Sequence, residues 1–99
     1  MSNSKEIKKL EQNRFSIVTK NLDFCYLCGR KKEHLHEVFF GKNRVNSMKY
    51  GCVIPLCSDC HYKVHHNINI DMKLKKIFQK KFEEIYDVEF LKIFRKNYL

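Results

Sequence analysis

The segment Val53–Ile–Pro–Leu–Cys57–Ser–Asp–Cys60–His61–Tyr–Lys–Val–His65 decides how this chain folds. It begins in the apolar run CVIPLC (52–57), which reads as a short strand bounded by a cysteine pair. Cys57-x2-Cys60 then has the spacing of a metal-binding knuckle. Beyond it the pattern turns helical, with Ser58 as the expected N-cap, Asp59 in the first turn and Asn67 as the expected end. Strand, knuckle and helix therefore follow one another within sixteen residues, 52–67.

The partner of this knuckle lies upstream in DFCYLCGR, where Cys25-x2-Cys28 is followed by Gly29. Two such pairs supply the four thiolates of a tetrahedral Zn2+ site, so Cys25, Cys28, Cys57 and Cys60 are the expected structural zinc ligands. A closed four-sulfur shell leaves no position for water, which makes this zinc a clasp and places chemistry elsewhere. The competing readings are four reduced core thiols without metal and a redox dithiol; no thioredoxin-like βαβ pattern surrounds either pair. Cys52, inside an apolar strand, reads as an inert core thiol.

His61 and His65 are four residues apart on the expected helix, which puts both imidazoles on one face where they can converge on one cation. The opposite wall would come from HLHEVFF (34–40), an expected strand carrying His36 and Glu37 side by side. Taken singly, each of these is also explained as a surface histidine or a solvated carboxylate. Between the two strands, the polar stretch KNRVNSMKY (42–50) reads as a loop with Asn43, Arg44 and Asn46. A cation with open positions, a His or Glu able to deprotonate water, and nearby Lys42, Arg44 and Lys49 to hold a phosphate together form the equipment for phosphodiester hydrolysis.

The remaining chain agrees with a small nucleic-acid-facing domain. Its 99 residues carry 20 Lys and Arg against 11 Asp and Glu, a formal charge of +9, with only 3 Gly and 1 Pro. That excludes a large enzyme scaffold and a disordered chain, and it points to a polyanion, although lysines on a solvated helix face would give the same count. No internal repeat or linker divides it. Residues 1–13 read as an N-terminal lead or short helix around Ile7 and Leu10, and RFSIVT (14–19) as an edge strand. Residues 14–70 form the expected knuckle module. Residues 71–99 form an expected helical hairpin: one helix capped by Asp71 with Leu74, Ile77, Phe78, Phe82 and Ile85 along a stripe, and a second capped by Asp87 with Phe90, Leu91, Phe94 and Tyr98. These aromatic stripes are read as core and not as base-stacking platforms. No apolar stretch is long enough for a membrane span and no signal peptide opens the chain, so the expectation is a cytoplasmic protein without membrane partners.

The segments HLHEVFFGKNR and VIPLCSDCHYKVH, joined to the upstream CxxC, resemble the zinc-knuckle type of HNH, or His-Me finger, endonucleases, particularly small phage-encoded ones. A more distant resemblance is to the phage recombination-enhancement, RecA-dependent nucleases. The likeness spans roughly residues 22–86. It implies an α+β fold of the ββα-metal kind, with two antiparallel strands and a helix holding a catalytic Mg2+, Mn2+ or other divalent ion against a DNA phosphate. It also implies DNA as partner, within a phage recombination or packaging complex in the host cytoplasm. By the same likeness His61 and His65 are the ligands of that ion, and Asn43, with Asn46 as alternative, supports the site. The family places an acidic residue or His as ligand directly before a His base. Here the pair is His36 then Glu37, so either His36 is a third ligand and Glu37 activates water, or His36 is the base and Leu35 fills the ligand place. The rival readings are a noncatalytic zinc-ribbon adaptor for nucleic acid and an RNase. Nicking against double-strand cutting, and monomer against homodimer, stay open at this level.

Overall fold

The computed structural model describes residues 4–99; residues 1–3 of the expected lead lie outside the described residues. It is a small α+β structure. Helix α1 (Ser4–Gln12) precedes a long irregular segment that carries the first cysteine pair. Strand β1 (His34–Glu37), a 3-10 turn (Gly41–Asn43), helix α2 (Arg44–Tyr50), strand β2 (Val53–Leu56), and helices α3 (Ser58–His66), α4 (Ile68–Ile85) and α5 (Phe90–Phe94) follow.

The two strands pair antiparallel, with His36 opposite Ile54 and Glu37 opposite Val53. β2 is buried along its whole length, as an apolar run of this kind should be, whereas β1 fully buries only His36. The strands are shorter than the apolar runs suggest. Beyond Glu37 the buried Val38 still donates its N–H to the Cys52 carbonyl, but at Phe39 Ser47 replaces strand pairing: its Oγ accepts from the Phe39 N–H at 3.1 Å and donates to the Phe39 carbonyl at 2.6 Å.

Four expectations are corrected here. RFSIVT forms no strand; it is tied to the sheet region by the Ile17 N–H to the Gly51 carbonyl and by the Arg14 side chain to Glu37. The expected loop 42–50 is largely helix α2, because Asn43 and Asn46 spend their side chains on the α5 carbonyls of Phe94 and Ile93 and leave the local backbone free to coil. α4 starts at Ile68 and not at Asp71, since Asn67 accepts from the N–H groups of Asn69 and Ile70 and is the cap. The second stripe is helical only over Phe90–Phe94, where Arg95 turns left-handed at φ 64°, so Asp87 caps nothing and Tyr98 reaches the core from an extended tail.

The core forms where β2, the Val38–Phe39 corner, α4 and α5 meet. Phe39, Phe78, Phe82, Phe90 and Phe94 are essentially inaccessible, while Ile77 and Ile85 of the expected stripe stay exposed. Phe39 touches the rings of Phe90, Phe94 and Tyr98, with centroids 4.6–5.3 Å apart. Gln79, buried in α4, accepts from the Tyr98 N–H and donates to Asn97, which closes the tail over the core. Among the described residues no helix is long and apolar enough to cross a membrane.

Candidate functional site

Both cysteine pairs sit on turns that present sulfur. In the first, the N–H of Gly29 bonds the carbonyl of Cys25 and Gly29 adopts φ 81°, a left-handed turn that glycine enters without strain. In the second, Cys57 is the N-cap of α3, and its Sγ accepts from the Cys60 N–H at 3.4 Å. The four Sγ atoms of Cys25, Cys28, Cys57 and Cys60 all lie within 4.8 Å of one another. Three of the residues are buried and Cys28 is exposed.

Their acidities diverge. The Arg30 backbone N–H, then its side chain, bring the Cys28 thiol down to about 6, whereas burial and the three neighbouring sulfurs push Cys60 up to about 12. Crowded thiols cannot all ionise without a cation among them, and a tetrahedral set of four sulfurs is what Zn2+ takes. The residues therefore fit a structural zinc site.

A second cluster lies between β1 and α3. One nitrogen each of His36, His61 and His65 falls within 4.8 Å of the others. The Nε2 atoms of His61 and His65 face each other at 3.1 Å, and the His36 ring stands edge-on to both, with centroids 5.3 and 5.1 Å away. His36 is 3% exposed, and its Nε2 has no hydrogen-bond partner. Burial, then the proximity of His61, His65 and Lys75, pushes this imidazole down to about 3 and keeps it neutral, the form that ligates metals. Burial also lowers His61, with His65 and His34 adding to the effect and Glu37 opposing it.

The remaining predicted residues are placed around this cluster and not in it. Glu37 follows His36 on the strand and its side chain leaves by the other face: Oε1 accepts from Arg14 at 2.8 Å and lies 3.3 Å from Arg44 Nε. Arg44 also binds Glu11, so α1 is tied to β1 through two arginines. Asn43 donates to the Phe94 carbonyl, 51 residues along the chain. Lys42 and Lys49 are exposed, Lys49 beside Lys9, Leu10 and Asn13 of the α1 region.

Sequence reasoning missed three neighbours of the histidines. His34, on the same strand face as His36, lies with its ring tilted by 32° and 4.6 Å from that of His61 and meets the Ser58 hydroxyl at 3.3 Å; its two-residue offset from His36 was the available signal. Phe40 lies 5.2 Å from the His65 ring, and Lys75 of α4 lies over Phe40. Nothing in the sequence placed α4 against this loop. Comparison with protein-family models, with curated proteins and with solved structures gives no match.

Proposed function

We propose that this chain is a metal-dependent endonuclease that hydrolyses phosphodiester bonds in DNA, built as a ββα-metal domain of the HNH kind. The observation that carries the reading is the buried, unpartnered Nε2 of His36, set beside the paired nitrogens of His61 and His65. A buried polar nitrogen without a partner costs stability, and three imidazoles that converge from two elements fit a divalent cation. His36, His61 and His65 would hold that ion. When bound, it supplies Lewis acidity toward phosphoryl oxygen and lowers the pKa of water.

The chain's own residues do the positioning. The cysteine clasp fixes the start of α3, so the pitch of one helix sets His61 and His65 on a common face. Pairing of β1 with β2 fixes His36 opposite them. Its place among the other two rings supports the register in which His36 is the third ligand. Glu37, held by Arg14 and Arg44 on the other face of the strand, anchors the segment that bears His36 and does not reach the ion site. Asn43, bonded to α5, supports the loop between the strands, and the +9 charge favours a polyanionic substrate.

The test is cleavage of supercoiled plasmid by zinc-loaded protein with Mg2+, Mn2+ or EDTA, beside His36→Ala. Ion-dependent nicking that needs His36 supports the endonuclease. Intact plasmid that shifts on a gel favours a nucleic-acid-binding adaptor, and selective cleavage of RNA favours an RNase.

A further inference from the structure

The side of α4 that meets the histidine cluster carries a shielded ion pair. Lys75 Nζ lies 2.8 Å from Asp71 Oδ2, and the two side chains are only 12% and 9% exposed. Apart from Asp71, the ammonium meets aromatic faces: it lies 4.4 Å from the Phe40 centroid and 5.5 Å from that of Tyr98. Phe40 is shared with the histidines, its centroid 5.2 Å from His65 and 6.0 Å from His36, and its ring is 43% exposed. The second carboxylate oxygen, Asp71 Oδ1, is buried without a partner.

Such a pair is a poor way to join a helix to a loop. Desolvating two charges returns little net stability, and apolar side chains of similar size would pack there at least as well. Its ammonium has three donors, and among the described residues Asp71 is its one ion-pair partner. A donor held this way, over a half-exposed ring that borders three converging imidazoles, is matched to an anionic oxygen arriving at the cluster.

We propose that Lys75 receives a phosphate oxygen of the substrate beside the Phe40 ring, with Asp71 as the positioning residue that aims its ammonium. The inference rests on the endonuclease reading above and adds a substrate-contacting residue outside the β1–α3 cluster.

The experiment compares zinc-loaded wild type with Lys75→Met, Lys75→Arg, Asp71→Asn and, as a charge control on α5, Lys92→Met. Affinity for a fluorescent DNA duplex is measured against salt without added Mg2+ or Mn2+, and plasmid cleavage with Mn2+. Lys75→Met should keep zinc content and a cooperative melt, lower the salt slope by about one phosphate contact more than Lys92→Met, and slow cleavage about 100-fold. Lys75→Arg should retain most of both. Asp71→Asn should lower kcat about 10-fold while leaving the salt slope intact, a split that a purely structural loss does not give. A folded Lys75→Met that binds and cuts like wild type overturns the proposal, and so does failure of both Lys75 variants to fold, which makes the pair structural. Wild type that binds duplex but cuts under no ion removes the endonuclease reading alone, since the Lys75 contact is still scored by the salt slope. Wild type that does not bind duplex overturns the contact too.

Discussion

The ring nitrogens Nε2 of His61 and His65 stand 3.1 Å apart, one helical turn from each other on α3. At that distance one proton can bridge them, and a second would set two imidazolium charges side by side. His36 adds a third nitrogen to the pair, in a buried position that disfavours its charged form. The arrangement suits a shared divalent cation better than it suits protons.

Protein saturated with Zn2+ or Co2+ should therefore hold two ions per chain, one at the cysteines and one at the histidines. His65→Ala should hold one, with the cysteine-bound ion and the fold intact. Metal content after gel filtration, together with the thiolate and imidazole absorption bands of Co2+, reports both. Two tightly held ions in the variant would separate the second ion from these histidines.

Cys57 does two things at once, as a sulfur of the clasp and as the cap of α3. Cys57→Ser should lose the clasp ion and, with it, most of the cooperative unfolding transition, because a 99-residue chain has a modest core and metal binding is coupled to folding. Circular dichroism of the variant, and of wild type titrated with chelator, reads this. A chelated wild type with an unchanged melting temperature would mean that the cysteines are ordinary core thiols.

The knuckles, the strand–knuckle–helix order and the convergence of His61 with His65 are legible in the sequence, because short spacing rules fix them: two residues between thiols, four between histidines on a helix. The direction of Glu37 is legible too from strand alternation, once His36 is known to point inward. Helix α2 is not. Asn43, just before it, and Asn46, within it, look like loop residues locally, and the carbonyls they bond belong to α5, some fifty residues away. The neighbourhood of Lys75 is hidden for the same reason: its lysine looks like any other on a basic helix, and only packing of α4 on the Phe40 corner shields it.

Ser47 tests that corner. It is fully buried and satisfies both backbone groups of Phe39 where the strand ladder stops. Ser47→Ala leaves the Phe39 N–H and carbonyl without that partner, and the expected loss is about 1–3 kcal/mol in urea unfolding. A change under about 0.5 kcal/mol would mean that the backbone finds another partner.

Stability should also follow the His36 proton. Burial, reinforced by His61, His65 and Lys75, lowers its pKa from 6.5 to about 3, so below 6.5 the unfolded chain binds a proton that the folded chain refuses. The contribution of His36 is then fully present above about pH 6.5 and is lost as pH falls toward about 3, by at most ~1.4 kcal/mol per pH unit. Urea unfolding between about pH 5.5 and 7, with zinc limited to one equivalent for the cysteines, should show this decline, and His36→Gln should flatten it. An equal slope in both proteins would assign the decline to other groups.

In the proposed function His36, His61 and His65 form the ion site of an endonuclease. Plasmid cleavage by wild type, His36→Ala and Glu37→Gln, each zinc-loaded and checked for a cooperative melt, tests it most directly. Wild type should nick plasmid with Mg2+ or Mn2+, and EDTA should abolish the nicking. Folded His36→Ala should lose at least about 100-fold, whereas folded Glu37→Gln, altered on the other face of the strand, should lose far less and keep the histidine-bound ion. Full cleavage by folded His36→Ala, or cleavage that persists in EDTA, would contradict this assignment.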